Sequence, residues 1–156
     1  MDTTPNSIAL TFLARIDVDV ADPSDLGVVA GEHRRIVSII GGTVDGPGLS
    51  GRVLPGGADF QRLRIDGTQE LDARYGLELE DGTRLYVENQ ALRAGDPEVM
   101  ARLARGERVD PSLVYFRSTP RVHAPAGPWE WLNRRILLAT GERTPDRVQL
   151  DVYLVE

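Results

Sequence analysis

The stretch ELDARYGLELEDGTRLYVEN, Glu70 to Asn89, decides the fold. Leu71, Ala73, Tyr75, Leu77 and Leu79 alternate with Glu70, Asp72, Arg74, Gly76, Glu78 and Glu80, a strict period of two that places one set on each face of a strand. Asp81-Gly82 is a hairpin turn signal, and Leu85 and Val87 then resume the alternation against Arg84, Tyr86 and Glu88. Two antiparallel strands with one apolar face follow from these twenty residues.

Working outward, Ile8 to Val20 is rich in β-formers, and Ala21 to Gly31, with Pro23, Asp25 and Gly27, reads as a loop. His33 to Ile40 is a strand running into GGTVDGPG, whose glycines and proline predict a turn or irregular edge. Leu49 to Leu54 and Asp59 to Ile65 read as short strands separated by a Pro-Gly-Gly turn, and Asp66-Gly67 closes the second. DPEVMARLARGE predicts the one helix: Asp96 caps it, Pro97 takes the first helical position, Glu98 suits the positive end and Gly106 stops it. Leu113 to Val122, Trp129 to Thr140 and Arg147 to Val155 complete the strands. Eight or nine short strands at about ten-residue spacing predict an all-β fold, a closed antiparallel up-and-down β-barrel with one short helix, spanning residues 1–156 as a single domain. A barrel of about eight strands has room for one small ligand.

Composition excludes several chemistries. The 156 residues contain no cysteine, and all 18 basic residues are arginine. Thiol nucleophiles, thiolate metal sites, Schiff bases and the usual pyridoxal phosphate linkage therefore have no side chain to build on. A net charge of −6 with no basic, aromatic-interleaved run argues against nucleic acid as a partner. No apolar run reaches the roughly 20 residues of a membrane helix, and the N-terminus lacks the pattern of a signal peptide, so the expectation is a cytoplasmic protein that does not contact the membrane. His33 and His123 lack metal-ligand spacing, and GPGLSG and GGTVDG fit neither a nucleophile elbow nor a dinucleotide loop. No cofactor and no metal are expected.

What remains is a constellation of carboxylates and arginines. Arg62, Arg64 and Asp66 share one face of their strand, Asp72 and Arg74 one face of the next, and the Asp66-Gly67 turn makes these faces neighbours. Such a pattern fits a solvated face with cross-strand ion pairs, and it also fits a lumen in which a desolvated carboxylate becomes a general base beside an oxyanion-binding arginine. In PWEWLN, Trp129, Trp131 and Asn133 fall on one face of the expected strand; the tryptophans fit a core or a ligand platform, and a buried Asn133 needs partners.

GGTVDGPGLSGRVLPGGADFQRLRIDGTQELDARYGLELEDGTRLYVEN together with WLNRRILLATGE resembles the conserved family DUF3237, also called UPF0311, over roughly Leu10 to Val155. Phe60 stands where members usually carry tryptophan, and Trp129 where a tyrosine is common. The resemblance implies a small closed β-barrel that associates into homo-oligomers, and it places Asp59, Arg64, Asp66, Asp72, Arg74 and Asn133 on motif positions. The function expected is a cofactor-independent isomerase, cyclase or lyase that moves a proton on a small carbonyl-bearing or aromatic molecule. Asp59 would be the general base or acid, Arg74 and Asn133 the oxyanion holders, and Phe60, Arg64, Asp72, Tyr75, Trp129 and Trp131 the substrate contacts. The alternative is a barrel that binds a small ligand without catalysis, and a purely structural oligomer comes last.

Overall fold

The computed structural model describes residues 3–156. Its elements are β1 (Leu10–Val20), β2 (Ser24–Val29), β3 (Glu32–Asp45), β4 (Gly51–Val53), β5 (Ala58–Leu63), β6 (Gln69–Leu79), β7 (Arg84–Gly95), α1 (Pro97–Ala104), β8 (Val114–His123), β9 (Leu137–Arg143) and β10 (Arg147–Val155), with short 3-10 turns at Pro111–Leu113 and Glu130–Arg134.

The strands close into an eight-position antiparallel barrel with two extra strands and one helix. Ten strands occupy eight positions because two positions are broken. β1 and β2 both pair with β3, β1 through Arg15–Val20 and β2 through Ser24–Val29, so they run end to end along one edge of it. β4 and β5 do the same on its other edge, and both also pair with β6. From β6 the chain meanders through β7, β8, β9 and β10, and β10 returns to β1 in a register running from Leu10↔Val155 to Asp19↔Arg147. β10 thus closes the ring onto β1 and removes most of the exposed pairing groups of an ordinary sheet, while β2 pairs on one side, with β3.

The hairpin that the alternation predicts is present as β6 and β7, with Leu71, Tyr75, Leu77, Leu79, Leu85 and Val87 all buried. Asp96 caps α1 by accepting from the Glu98 N–H, with Pro97 at its start. Three expectations are corrected. Ser24–Val29 is a strand, not a loop; it forms a hairpin with β3 through Ala30 and Gly31, both at positive φ, and it escaped notice because almost none of it is buried. Gly41 to Asp45 continues β3 instead of turning. There β3 crosses from β2 to β1, and a Cβ on Gly42 would sit 1.9 Å from the Asp17 carbonyl oxygen, so glycine is what lets the two backbones meet. The Pro-Gly-Gly stretch does not reverse the chain; it kinks one strand position into β4 and β5.

A further correction concerns the segment after Pro128, where Glu130–Arg134 is a 3-10 turn and not the start of a strand; β9 begins only at Leu137. Leu132 is buried there, and Trp129 and Trp131 pack partly buried against the core. This turn and the apolar residues Leu77, Leu79, Leu85, Val122 and Leu137 fill one end of the barrel. The other end is covered by α1 through Met100 and Leu103. Among the described residues, no helix is long and apolar enough to cross a membrane.

Candidate functional site

Strand alternation puts polar side chains into the barrel at the α1 end. On β3 the inward phase is Arg35, Val37, Ile39; on β5 it is Asp59 and Gln61; on β6 it begins with Gln69; on β7 it ends with Asn89, Ala91 and Arg93; on β9 it ends with Arg143. The registers Arg35↔Gln61, Leu63↔Gln69 and Gln69↔Arg93 bring these residues round one mouth. Arg35, Gln61, Gln69 and Arg93 are 8%, 4%, 1% and 4% exposed, so at least nine-tenths of each is out of solvent.

Asp59 lies one step deeper, opposite Val37 and Ala73. Its Oδ2 accepts from Gln61 Nε2 at 2.8 Å, while Oδ1 is buried with no partner among the described residues. Burial pushes its pKa up; the Gln61 hydrogen bond and the charges of Arg93 and Arg143 pull it partway back. The Tyr75 hydroxyl is likewise buried and unpartnered, and desolvation, aided by the Asp59 charge, holds it firmly protonated.

The Arg93 guanidinium stacks over Phe116 at 5.2 Å and donates from Nε to Gln69 Oε1 at 2.8 Å. Burial and the neighbouring Arg143 and Arg35 outweigh the Asp59 charge and lower its pKa to about 10, so it remains a cation at neutral pH. Arg35 donates to the Ala104 carbonyl at the end of α1 at 3.4 Å, leaving its Nε buried and unpartnered; Arg143 leaves Nη1 in the same condition. A cavity of about 460 Å³ opens over this cluster, between the last turn of α1 and the β1–β2 and β9–β10 connections at Pro23 and Pro145. Seven buried side-chain atoms among the described residues lack partners, and five of them belong to Arg35, Asp59, Gln61, Tyr75 and Arg143. Buried polar groups are normally satisfied, so such a concentration calls for partners from outside the chain, whether water or a ligand.

The other residues singled out in the sequence lie elsewhere. Arg74 and Asp72 face outward, 3.5 Å apart, in a groove of about 580 Å³ on the outer wall that Asn133 also lines. Asn133 is fully engaged: its amide donates to the Ala124 carbonyl at 2.9 Å and accepts from the Ala124 N–H at 2.7 Å, pinning the β8–β9 connection. Asp59 is therefore separated from Arg74 and Asn133 by the barrel wall. Phe60 and Arg64 are exposed, Arg64 pairing with Glu70 at 3.0 Å. Asp66 accepts from the Thr68 N–H and shapes the β5–β6 turn. Trp129 donates to Asp81 at 2.8 Å, closing the apolar end. His33 pairs with Asp25, and His123 lies 3.7 Å from Glu88.

Larger concavities lie on the outer wall, one of about 620 Å³ across β6 to β9. Their charged linings are ion-paired or solvated, whereas five of the seven unpartnered buried atoms gather at and below the α1 mouth, Ser118 Oγ being the one on the outer concavity; chemistry, not size, selects the site. Arg35, Gln61, Gln69, Arg93 and Arg143 were missed in the sequence. The available signal was phase: each falls where the alternation calls for an apolar residue, toward one end of its strand.

Known proteins resemble this chain throughout its length. A UPF0311 protein of Bradyrhizobium diazoefficiens is 43% identical over 154 residues, covering 98% of this chain and 97% of that one. A conserved protein of unknown function from Rhodopseudomonas palustris superposes with a TM-score of 0.91 at 38% identity, covering 98% of this chain and all of that one. A β-barrel-like protein from Acinetobacter baumannii does so with a TM-score of 0.86 at 34% identity, covering 99% and 100%. An enzyme from Penicillium herquei shares the fold at 18% identity, with a TM-score of 0.74 over the whole of both chains. The model of the family described as protein of unknown function, DUF3237, matches residues 8–155, and the chain belongs to that family.

Proposed function

We propose that the barrel is a cofactor-independent enzyme that transfers a proton on a small carbonyl-bearing or aromatic molecule, with Asp59 as the base. The observation that carries this reading is the Asp59 carboxylate itself: buried, raised in pKa, with one oxygen held by Gln61 and the other free to accept. A carboxylate tuned upward is a stronger base than one in water. In the step envisaged, Oδ1 takes a proton from a carbon next to a carbonyl, the C–H electron pair forms a carbon–carbon double bond while the carbonyl π pair moves onto oxygen, and Arg93 faces the enolate oxyanion that forms. Asp59 then returns its proton to another carbon or to a departing group, which gives isomerisation or elimination. Tyr75, kept neutral, serves as a hydrogen-bond donor and not as a second base. That the same fold carries an enzyme in Penicillium herquei supports the plausibility of a barrel-borne site without identifying the reaction.

The test is hydrogen exchange. Small ketones, keto acids and hydroxylated aromatics incubated with the protein in D2O are expected to gain deuterium at carbon, read by mass spectrometry, and Asp59→Asn should slow the exchange by about 100-fold or more. Unaltered exchange in a folded Asp59→Asn protein would remove Asp59 as the base. Binding of these compounds with no exchange in the parent protein would favour the non-catalytic ligand-binding barrel.

A further inference from the structure

The α1 mouth holds arginines that no carboxylate of the protein engages directly. Arg35, Arg93 and Arg143 converge there, and among the described residues none of the three lies within ion-pairing distance of a carboxylate. Two exposed carboxylates, Asp22 and Asp25, line the same cavity, Asp25 being paired with His33, and the deeper Asp59 is hydrogen-bonded to Gln61 and not to a guanidinium. Arg35 Nε and Arg143 Nη1 are buried donors without acceptors, and both side chains line the same cavity. Leaving charged donors buried and unmatched is costly, and bidentate guanidinium geometry is complementary to a planar carboxylate. At about 460 Å³ the cavity takes a small organic molecule and not merely an ion.

We propose that the substrate is a small carboxylic acid whose carboxylate is anchored by Arg35 and Arg143 at the mouth, with its body directed inward past Gln61 toward Asp59 and Arg93. The orientation rests on the proton-transfer reading; the anion site rests on the arginines alone. Division of labour follows from depth. Arg35 reaches the last turn of α1 and Arg143 lies next to the β9–β10 turn, whereas Arg93 is the cation that acts most strongly on Asp59. Anchor and oxyanion-facing group are thereby separated along one channel. Neutral molecules of the same shape would leave the mouth arginines unmatched, which is a large penalty and a basis for selecting acids.

The experiment uses benzoate and the neutral, similarly shaped benzamide, titrated into the full chain and followed through the arginine Nε–Hε signals by NMR. Benzoate is expected to shift the signals of Arg35 and Arg143 saturably and to bind at least tenfold more tightly than benzamide. Arg143→Gln should weaken benzoate tenfold or more, while Asp59→Asn, which removes the one buried negative charge, should bind it as tightly as the parent or more so. Equal binding of the two compounds, no saturable shift with either, or full benzoate affinity in Arg143→Gln would overturn the proposal. Should Arg143→Gln fail to fold, the comparison of benzoate with benzamide on the unaltered chain still decides. The two readings separate cleanly: an anion site with exchange surviving in Asp59→Asn removes the base but keeps the acid-binding mouth, and lost exchange without benzoate preference does the reverse.

Discussion

At Asp59 the cost of burying a carboxylate is expressed as proton affinity, and the sign of the resulting pH dependence is determined. In the unfolded chain an aspartate titrates near its ordinary value, about 4, and in the folded barrel it titrates higher. Between those two values the folded state keeps a proton that the unfolded state has released. Stability therefore falls as pH rises through that window and stays lowered above it. Asp59→Asn, which carries no charge at any pH, should melt higher than the parent at neutral pH, by about 2–4 °C for each kcal/mol regained, and the difference should vanish below the ordinary aspartate range. A thermal scan at the two pH values checks this, and a lower melting temperature at neutral pH would contradict the burial argument. Arg74 is the contrasting case. It is paired with Asp72 on an exposed face, so Arg74→Ala should leave the denaturation midpoint nearly unchanged and proton exchange in the lumen unaltered.

Elements are held by a few residues whose roles are local. Asn133 satisfies both backbone groups of Ala124 and fastens the 3-10 turn to the end of β8. Asn133→Ala removes two hydrogen bonds, for an expected loss of about 1–3 kcal/mol in chemical denaturation, with lumen ligand affinity unaltered in the folded fraction. Gly42 allows β3 to approach β1, and its φ of +143° disfavours any side chain. With a Cβ 1.9 Å from a backbone oxygen, Gly42→Ala should destabilise by about 3–5 kcal/mol or prevent folding, read as a lowered denaturation midpoint. The same two segments show why parts of the chain were hard to read. Trp129, Trp131 and Asn133 are spaced two apart by coincidence; in a 3-10 turn that spacing does not define a face, and the buried residue is Leu132. Ser24–Val29 shows no alternation because neither of its faces is buried; hydrogen bonds to β3 alone make it a strand.

Across the whole molecule the barrel interior is divided. One half is a packed apolar core around Leu77 and Val87, both fully buried, and the other is the arginine-rich mouth. Leu77→Ala should cost about 2–5 kcal/mol in a denaturation experiment, because the rigid ring of strands cannot collapse around the space left behind. The apolar floor of buried residues below Asp59 contributes to the desolvation that raises its pKa, on which the proposed chemistry depends. Packed core and proposed site are thus placed at opposite ends of one set of strands, with the inward phase of β3, β6, β7 and β9 carrying apolar residues at one end and a polar one at the other.

What the sequence by itself determined was local. The β6–β7 hairpin, the capped helix after Asp96, the turn at Asp66-Gly67 and the family pattern around Asp59 all depend on residues a few positions apart, where alternation, capping and turn chemistry act. Alternation also shows that Asp72 and Arg74 share a face. Where both faces carry polar residues, it does not show which face is inside. That was decided by closure, which joins residues as distant as Arg15 and Asp151, and by α1 folding back over one mouth. Only once the ring is closed do Arg35, Asp59, Arg93 and Arg143, spread over four strands, come to share one desolvated space; the physical reason is that burial, and with it pKa and unmet hydrogen bonding, belongs to the packed barrel and to no single strand.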